Sequence, residues 1–132
     1  MTLLRCMIVE DQALIGMSLE ASLEEVGFAV EGPFMSCAQA LDWLENDAPD
    51  IALLDIMLKD GTSLEIARTL KNRGIPFVVY SGLPQSADRG DELQDVPWLE
   101  KPVSRETLAD TLRNTVYPAQ APSGFDRSNQ LG

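Results

Sequence analysis

Histidine is absent from this 132-residue chain, and that absence excludes a great deal. It removes His-dependent catalytic triads and the common His-bearing zinc sites. Any phosphohistidine chemistry must come from another molecule. Cysteine is scarce: Cys6 and Cys37 are the two present. Both lie in apolar segments, which reads as two buried free thiols in a cytoplasmic protein rather than a disulfide. Basic residues are few, with 10 Lys and Arg against 21 Asp and Glu, a formal charge of −11 and a pI near 4.2. Phosphate binding needs a basic patch, so nucleic acid is not expected as a partner. No apolar run has the length of a membrane span, and no membrane association is expected. The N-terminal residues Met1 to Val9 lack the basic n-region and long h-region of a signal peptide.

What is present suits one globular domain with a real core, at 45% hydrophobic and 23% charged residues. The stretch Ile51-Ala52-Leu53-Leu54-Asp55 runs four apolar residues into a carboxylate. A run apolar on both faces reads as a strand buried between two layers. Asp55 then sits at the carboxyl end of that strand, where ligands bind in open α/β sheets. An Asp in that place can also be a plain turn residue, so the question is what else converges on it.

Leu4 to Val9 reads as a first strand ending at Glu10-Asp11. Ala13, Leu14, Met17, Leu19, Leu23 and Val26 recur at helical spacing over about 12–26, and Gly27 ends that helix. Phe28 to Glu31 is a second strand, broken by Gly32-Pro33. Ser36 caps a second helix over about 37–45, with Ala40, Leu41 and Leu44 inward. After the Asp55 strand, Ile56 to Gly61 reads as a loop. Thr62 or Ser63 caps a third helix closed by Asn72-Arg73-Gly74. Pro76 to Ser81 is a fourth strand that ends on a hydroxyl. Gln85 to Val96 is weakly patterned and reads as a short, irregular or mobile helix. Pro97 to Glu100 is a fifth strand, placed at a sheet edge by its proline. Ser104 caps a last helix to about Val116. The prediction is one domain over 1–117 with a disordered tail over 118–132. The fold class is α/β: a doubly wound, five-stranded parallel sheet, (βα)5, strand order 2-1-3-4-5, flavodoxin-like.

In such a sheet the strand ends share one rim, which gathers Glu10, Asp11, Asp55, Ser81 and Lys101. Crowded carboxylates repel unless a cation compensates, and Mg²⁺ takes carboxylates, waters and phosphate oxygens. Carboxylate, Mg²⁺, ammonium and hydroxyl together suit phosphoryl transfer to Asp55.

The pieces Val9-Glu10-Asp11, Leu53-Leu54-Asp55, Asp60-Gly61, Tyr80-Ser81-Gly82 and Lys101-Pro102, in this order and each at its strand end, resemble the response-regulator receiver domains of two-component signalling. The resemblance runs from about Leu3 to Val116. It implies that Asp55 is the phosphoacceptor, that Glu10, Asp11, Asp55 and the Met57 carbonyl ligate Mg²⁺, that Ser81 contacts the phosphoryl group and that Lys101 pairs with it. It implies a sensor histidine kinase or phosphotransfer protein as donor and an unidentified downstream protein. Such a domain catalyses its own phosphorylation and is no turnover enzyme. With no output domain in the chain, signalling by protein–protein contact is expected, or service as a phosphate shuttle or sink. A homodimer through the fourth helix, fifth strand and last helix would follow the habit of relatives. Residues 75–82, with the weak segment after them, look like a subgroup of stand-alone receivers with a Thr-Gly-Tyr-type strand-four motif, often paired with HWE-type kinases. Here Ser81 replaces Thr and Leu83 the aromatic.

In receivers an aromatic on strand five repacks behind the moving strand-four hydroxyl, which makes Ser81 and Trp98 the switch pair; simple packing of Trp98 on the last helix is the alternative. Met57 and Leu83 sit where polar residues speed phosphate loss in relatives, so a long-lived phosphoryl group is expected. Asp60 reads as a turn residue and Trp43 as packing. The competing functions are a phosphorylation-independent binding module on the same fold, an Asp-nucleophile phosphatase and a flavin protein. The phosphatase needs an acid at position 57, which is Met. The flavin protein needs a Ser/Thr/Gly-rich phosphate loop after strand one, which is missing.

Overall fold

A computed structural model describes residues 3–83 and 91–117. The elements alternate: β1 (Leu4–Val9), α1 (Ala13–Glu25), β2 (Phe28–Phe34), α2 (Cys37–Leu44), β3 (Ile51–Leu54), α3 (Leu64–Asn72), β4 (Phe77–Ser81), β5 (Trp98–Glu100) and α4 (Arg105–Val116). The five strands form one parallel sheet in the order β2-β1-β3-β4-β5. This is the doubly wound (βα)5 arrangement expected from the sequence.

The two faces of the sheet sort by strand alternation. Met7, Val9, Ala52, Leu54, Phe77 and Val79 pack with Ala40 and Leu44 of α2 and Ile66, Ala67 and Leu70 of α3. Cys6, Ile8, Ile51, Leu53, Val78 and Tyr80 pack with Leu19 and Leu23 of α1 and Leu108, Ala109 and Leu112 of α4. Every residue of β3 is buried, because helices cover both of its sides. The strand that carries Asp55 is therefore held from every direction. Trp43 is a packing residue, its ring 5.4 Å from that of Phe34 and facing the Arg5 guanidinium.

Four local expectations are corrected. α1 buries Gly16, Leu19 and Leu23, while Leu14 and Met17 stand 83% and 61% exposed. A Cβ on Gly16 would lie 3.0 Å from Pro33. The helix approaches the sheet along its glycine, and Leu14, about 200° around the axis from Gly16, is turned to solvent.

Next, β2 does not stop at Glu31 but runs through Gly32-Pro33 to Phe34, with a register shift opposite Met7 and Val9. Edge position and a bulge make proline tolerable there. Gly32 takes a φ of +101°, and a Cβ on it would lie 2.8 Å from the Ile8 carbonyl.

Third, the stretch after Asp55 is a small antiparallel hairpin, Met57–Leu58 against Gly61–Thr62. Fourth, Asp60 is more than a turn residue. Its carboxylate accepts from the Cys37 and Ala38 N–H groups at 3.0 and 3.2 Å, and Ser36 Oγ accepts from Gln39 N at 3.1 Å. α2 thus has two caps, one borrowed from the hairpin. Ser104 caps α4 as expected, accepting from Thr107 N at 3.1 Å. Ser63 precedes α3 as expected, but its buried hydroxyl has no partner among the described residues.

Of the weak segment before β5, the described part holds a 3-10 turn at Asp91–Leu93, tied to α3 by an Arg68–Glu92 ion pair of 3.1 Å. Residues 84–90 and the expected tail over 118–132 lie outside the described residues. Among the described residues no helix is long and apolar enough to cross a membrane.

Candidate functional site

The strand ends place the site residues through main-chain bonds. Glu10 follows β1, and its N–H donates to Phe34 O at 2.9 Å, the bond that the bulge in β2 makes available. Asp55 follows β3, and its N–H donates to Val9 O at 3.0 Å. Lys101 follows β5, and its N–H donates to Ser81 O at 2.8 Å. Each functional residue is thus anchored to the neighbouring strand.

At the rim the side chains meet. Lys101 Nζ lies 2.9 Å from Glu10 Oε1 and 3.1 Å from Asp55 Oδ2, and 5.3 Å from the centroid of the Tyr80 ring. The second oxygen of Glu10 accepts from Gln12 N at 3.1 Å. Glu10 is 1% exposed, whereas the Asp55 side chain keeps 12% and borders an open cavity of about 450 Å³. Asp11, Met57, Ser81, Leu83 and Lys101 border the same cavity. Glu10 stands behind this wall.

Electrostatics follow from burial and pairing. Loss of water raises the Glu10 carboxyl, with the nearby Asp55 charge adding to the rise, against the lowering effects of Lys101 and the Gln12 N–H. Burial pulls the Lys101 ammonium down, but hydrogen bonds to Glu10 and Asp55, and their charges, outweigh it and hold the group above its ordinary value. One ammonium serves two carboxylates.

Glu10, Asp11 and Asp55 each offer an oxygen, and the three oxygens lie within 4.8 Å of one another. An all-oxygen, all-anionic donor set suits a hard divalent cation such as Mg²⁺ and not a thiol- or imidazole-seeking metal. The residues present therefore fit the ion that the sequence implied. Met57 opens the hairpin next to Asp55, with its side chain 52% exposed.

Ser81 ends β4, buried to 2% exposure, with its Oγ accepting from Leu83 N–H at 3.2 Å. Trp98, half-buried on β5, packs against the face that carries Val79 and donates from Nε1 to Leu83 O at 2.8 Å. Sequence reading gathered Glu10, Asp11, Asp55, Ser81 and Lys101 correctly on one rim. It missed the Gln12 N–H on Glu10, the Tyr80 ring beside Lys101 and the Leu83 peptide between Ser81 and Trp98. The first and last are main-chain groups, which leave no mark in residue identity. Tyr80 was visible only as a strand residue.

Comparison with known proteins agrees with this geometry. The family model described as the response regulator receiver domain matches residues 6–113. The response regulator MprA of Mycobacterium sp. (strain KMS) is 30% identical over 126 residues, 92% of this chain and 54% of that protein. MprA of Mycobacterium avium (strain 104) is 30% identical over 114 residues, 83% of this chain and 50% of the relative. The chain thus spans about half the length of these curated relatives. Among solved structures, a CheY-like receiver domain from Methylobacillus flagellatus superposes with a TM-score of 0.73 at 27% identity, covering 86% of this chain and 99% of that one. The response regulator PhyR from Brucella abortus gives 0.76 at 26% identity, over 91% of this chain and 50% of its own.

Proposed function

Since this chain belongs to the response regulator receiver family, we propose that it is a phosphorylation-dependent signalling switch whose acceptor is Asp55. The observation that carries this reading is the 3.1 Å contact between Lys101 Nζ and Asp55 on the cavity wall. Asp55 is the acid that both meets the fixed ammonium and borders the open space. Glu10 meets the same ammonium but is enclosed.

In the transfer, a bond forms between an Asp55 carboxylate oxygen and phosphorus. The bond from phosphorus to the donor's leaving group breaks, and that group departs with the electron pair. Lys101 offers its ammonium to the phosphoryl oxygens, and the Ser81 hydroxyl can donate to another. Glu10, Asp11, Asp55 and the Met57 carbonyl are the groups that would hold Mg²⁺, which when bound neutralises negative charge on the phosphoryl oxygens. The chain is an acceptor that modifies itself, not a turnover enzyme.

The absence of histidine supports a donor histidine on a separate molecule, a sensor kinase or phosphotransfer protein. The Tyr80-Ser81-Gly82 motif favours an HWE-type kinase. Two free thiols support a cytoplasmic location.

The test is to mix the protein with Mg²⁺ and acetyl phosphate and locate the added phosphoryl group by mass spectrometry. Modification on Asp55, lost in Asp55→Asn, is expected. Label on another residue, or equal label in Asp55→Asn, overturns the reading.

A further inference from the structure

Ser81 and Trp98 do not touch directly through any described bond; they meet through one peptide. Ser81 Oγ accepts from Leu83 N–H at 3.2 Å, and Trp98 Nε1 donates to Leu83 O at 2.8 Å. β4 and β5 pair Val79 with Trp98, so the indole reaches forward along the sheet to the segment that follows Ser81. Both Ser81 and Leu83 border the cavity of Asp55 and Lys101.

A serine hydroxyl has one proton to donate and two lone pairs to accept with. When the Leu83 N–H occupies a lone pair, the oxygen is held in place and its proton is left for another acceptor. In this cavity that acceptor is an oxygen of an arriving phosphoryl group. The Leu83 N–H holds Ser81 only while its peptide keeps its orientation, and the Trp98 indole fixes the opposite end of that segment. We propose that Trp98 is a positioning residue for phosphoryl acceptance: through the Leu83 carbonyl it aims the Ser81 hydroxyl before the phosphoryl group arrives. Trp98 then acts on the rate of modification itself, ahead of any later repacking. This inference rests on the reading of Asp55 as acceptor and adds to it a role for the indole N–H.

A double-mutant cycle tests it. Trp98→Phe keeps an aromatic ring and removes the donor. The rate of Asp55 modification by acetyl phosphate is measured in the parent, Trp98→Phe, Ser81→Ala and the double variant, with Mg²⁺ affinity measured alongside. One hydrogen bond lost corresponds to a rate about three- to tenfold slower. The expected result is that slowing in Trp98→Phe with Mg²⁺ affinity unchanged, and little further effect of Trp98→Phe once Ser81 is alanine. Equal slowing in both backgrounds, or none in either, overturns the inference while leaving the acceptor reading intact. A parent that is not modified on Asp55 overturns both. If Trp98→Phe fails to fold, replacing the indole by benzothiophene keeps the shape, deletes only the donor and reads the same quantity.

Discussion

Lys101 Nζ and Asp55 Oδ2 stand 3.1 Å apart at the ends of two strands separated by β4, and the same ammonium is shared with enclosed Glu10. This sharing gives a pH signature. The folded-state value of Lys101 lies above its ordinary 10.5, so its stabilising contribution is complete below 10.5 and is lost as pH rises through the higher folded value. Denaturant midpoints of the parent should fall in that alkaline range. Lys101→Met should lose this limb, as read by the difference between the two pH profiles. The same variant should be modified by acetyl phosphate about 100-fold more slowly, because it lacks the cation facing the phosphoryl oxygens.

Glu10 has the opposite consequence at neutral pH. Its folded value is raised above 4.5, so its favourable contribution is present below 4.5 and lost as pH rises through the folded value. Above that range the ionised carboxylate is a burden on the fold. Glu10→Gln is therefore expected to melt at or above the parent temperature at pH 7 while binding Mg²⁺ more weakly. Calorimetry and a metal titration check the two halves. A lower melting temperature with unchanged metal affinity would refute the assignment.

Two glycines with similar φ angles should respond unequally to alanine. Gly27, at +100°, has nothing within 4 Å of a built Cβ; Gly32, at +101°, would meet Phe34 N at 2.7 Å and Ile8 O at 2.8 Å. Gly27→Ala should cost about 1 kcal/mol for its backbone conformation alone. Gly32→Ala adds a collision with two main-chain atoms and should cost about 3 kcal/mol or more. Because Phe34 O holds the Glu10 N–H, Gly32→Ala should also weaken Mg²⁺ binding, whereas Gly27→Ala should not.

Met57 and Leu83 both border the cavity and both are apolar. Neither can orient a water toward an acyl phosphate. The phosphoryl group on Asp55 is expected to be long-lived. Met57→Glu should shorten its life about tenfold by supplying a base for water, as followed by loss of the phosphoprotein on a phosphate-affinity gel after donor removal. Equal lifetimes would show that position 57 has no influence on the attacking water.

Burial pushes the Cys6 thiol up to about 12, and Cys37 is raised as well. The native protein at pH 8 should therefore react slowly with a disulfide reagent, Cys37 before fully buried Cys6. Denaturation should release two equivalents promptly.

The α/β architecture was readable because β3 is apolar on both faces and the other strands end in chemistry-bearing residues. Glu10, Asp11, Asp55, Ser81 and Lys101 could be brought together without coordinates, since a parallel sheet puts all its carboxyl ends on one side. What escaped depends on rotation and main chain. Helical spacing alone did not reveal that α1 would turn Leu14 outward, because the deciding contact is between Gly16 and Pro33. The continuation of β2 past Gly32-Pro33 was hidden because both residues usually end strands. Here an edge position and a bulge rescue them. The Leu83 peptide was invisible because peptides carry no residue-specific signature.

Asp60 leaves one further consequence. Its carboxylate belongs to the hairpin that follows Asp55, yet it satisfies the first amides of α2, in the preceding repeat of the fold. The opening turn of that helix is thereby moored to the strip of chain nearest the acceptor. A ligand or modification that pulls the strip away from its resting place would unmoor α2 and fray its first turn, carrying news of the event to the flank of the molecule opposite α1 and α4.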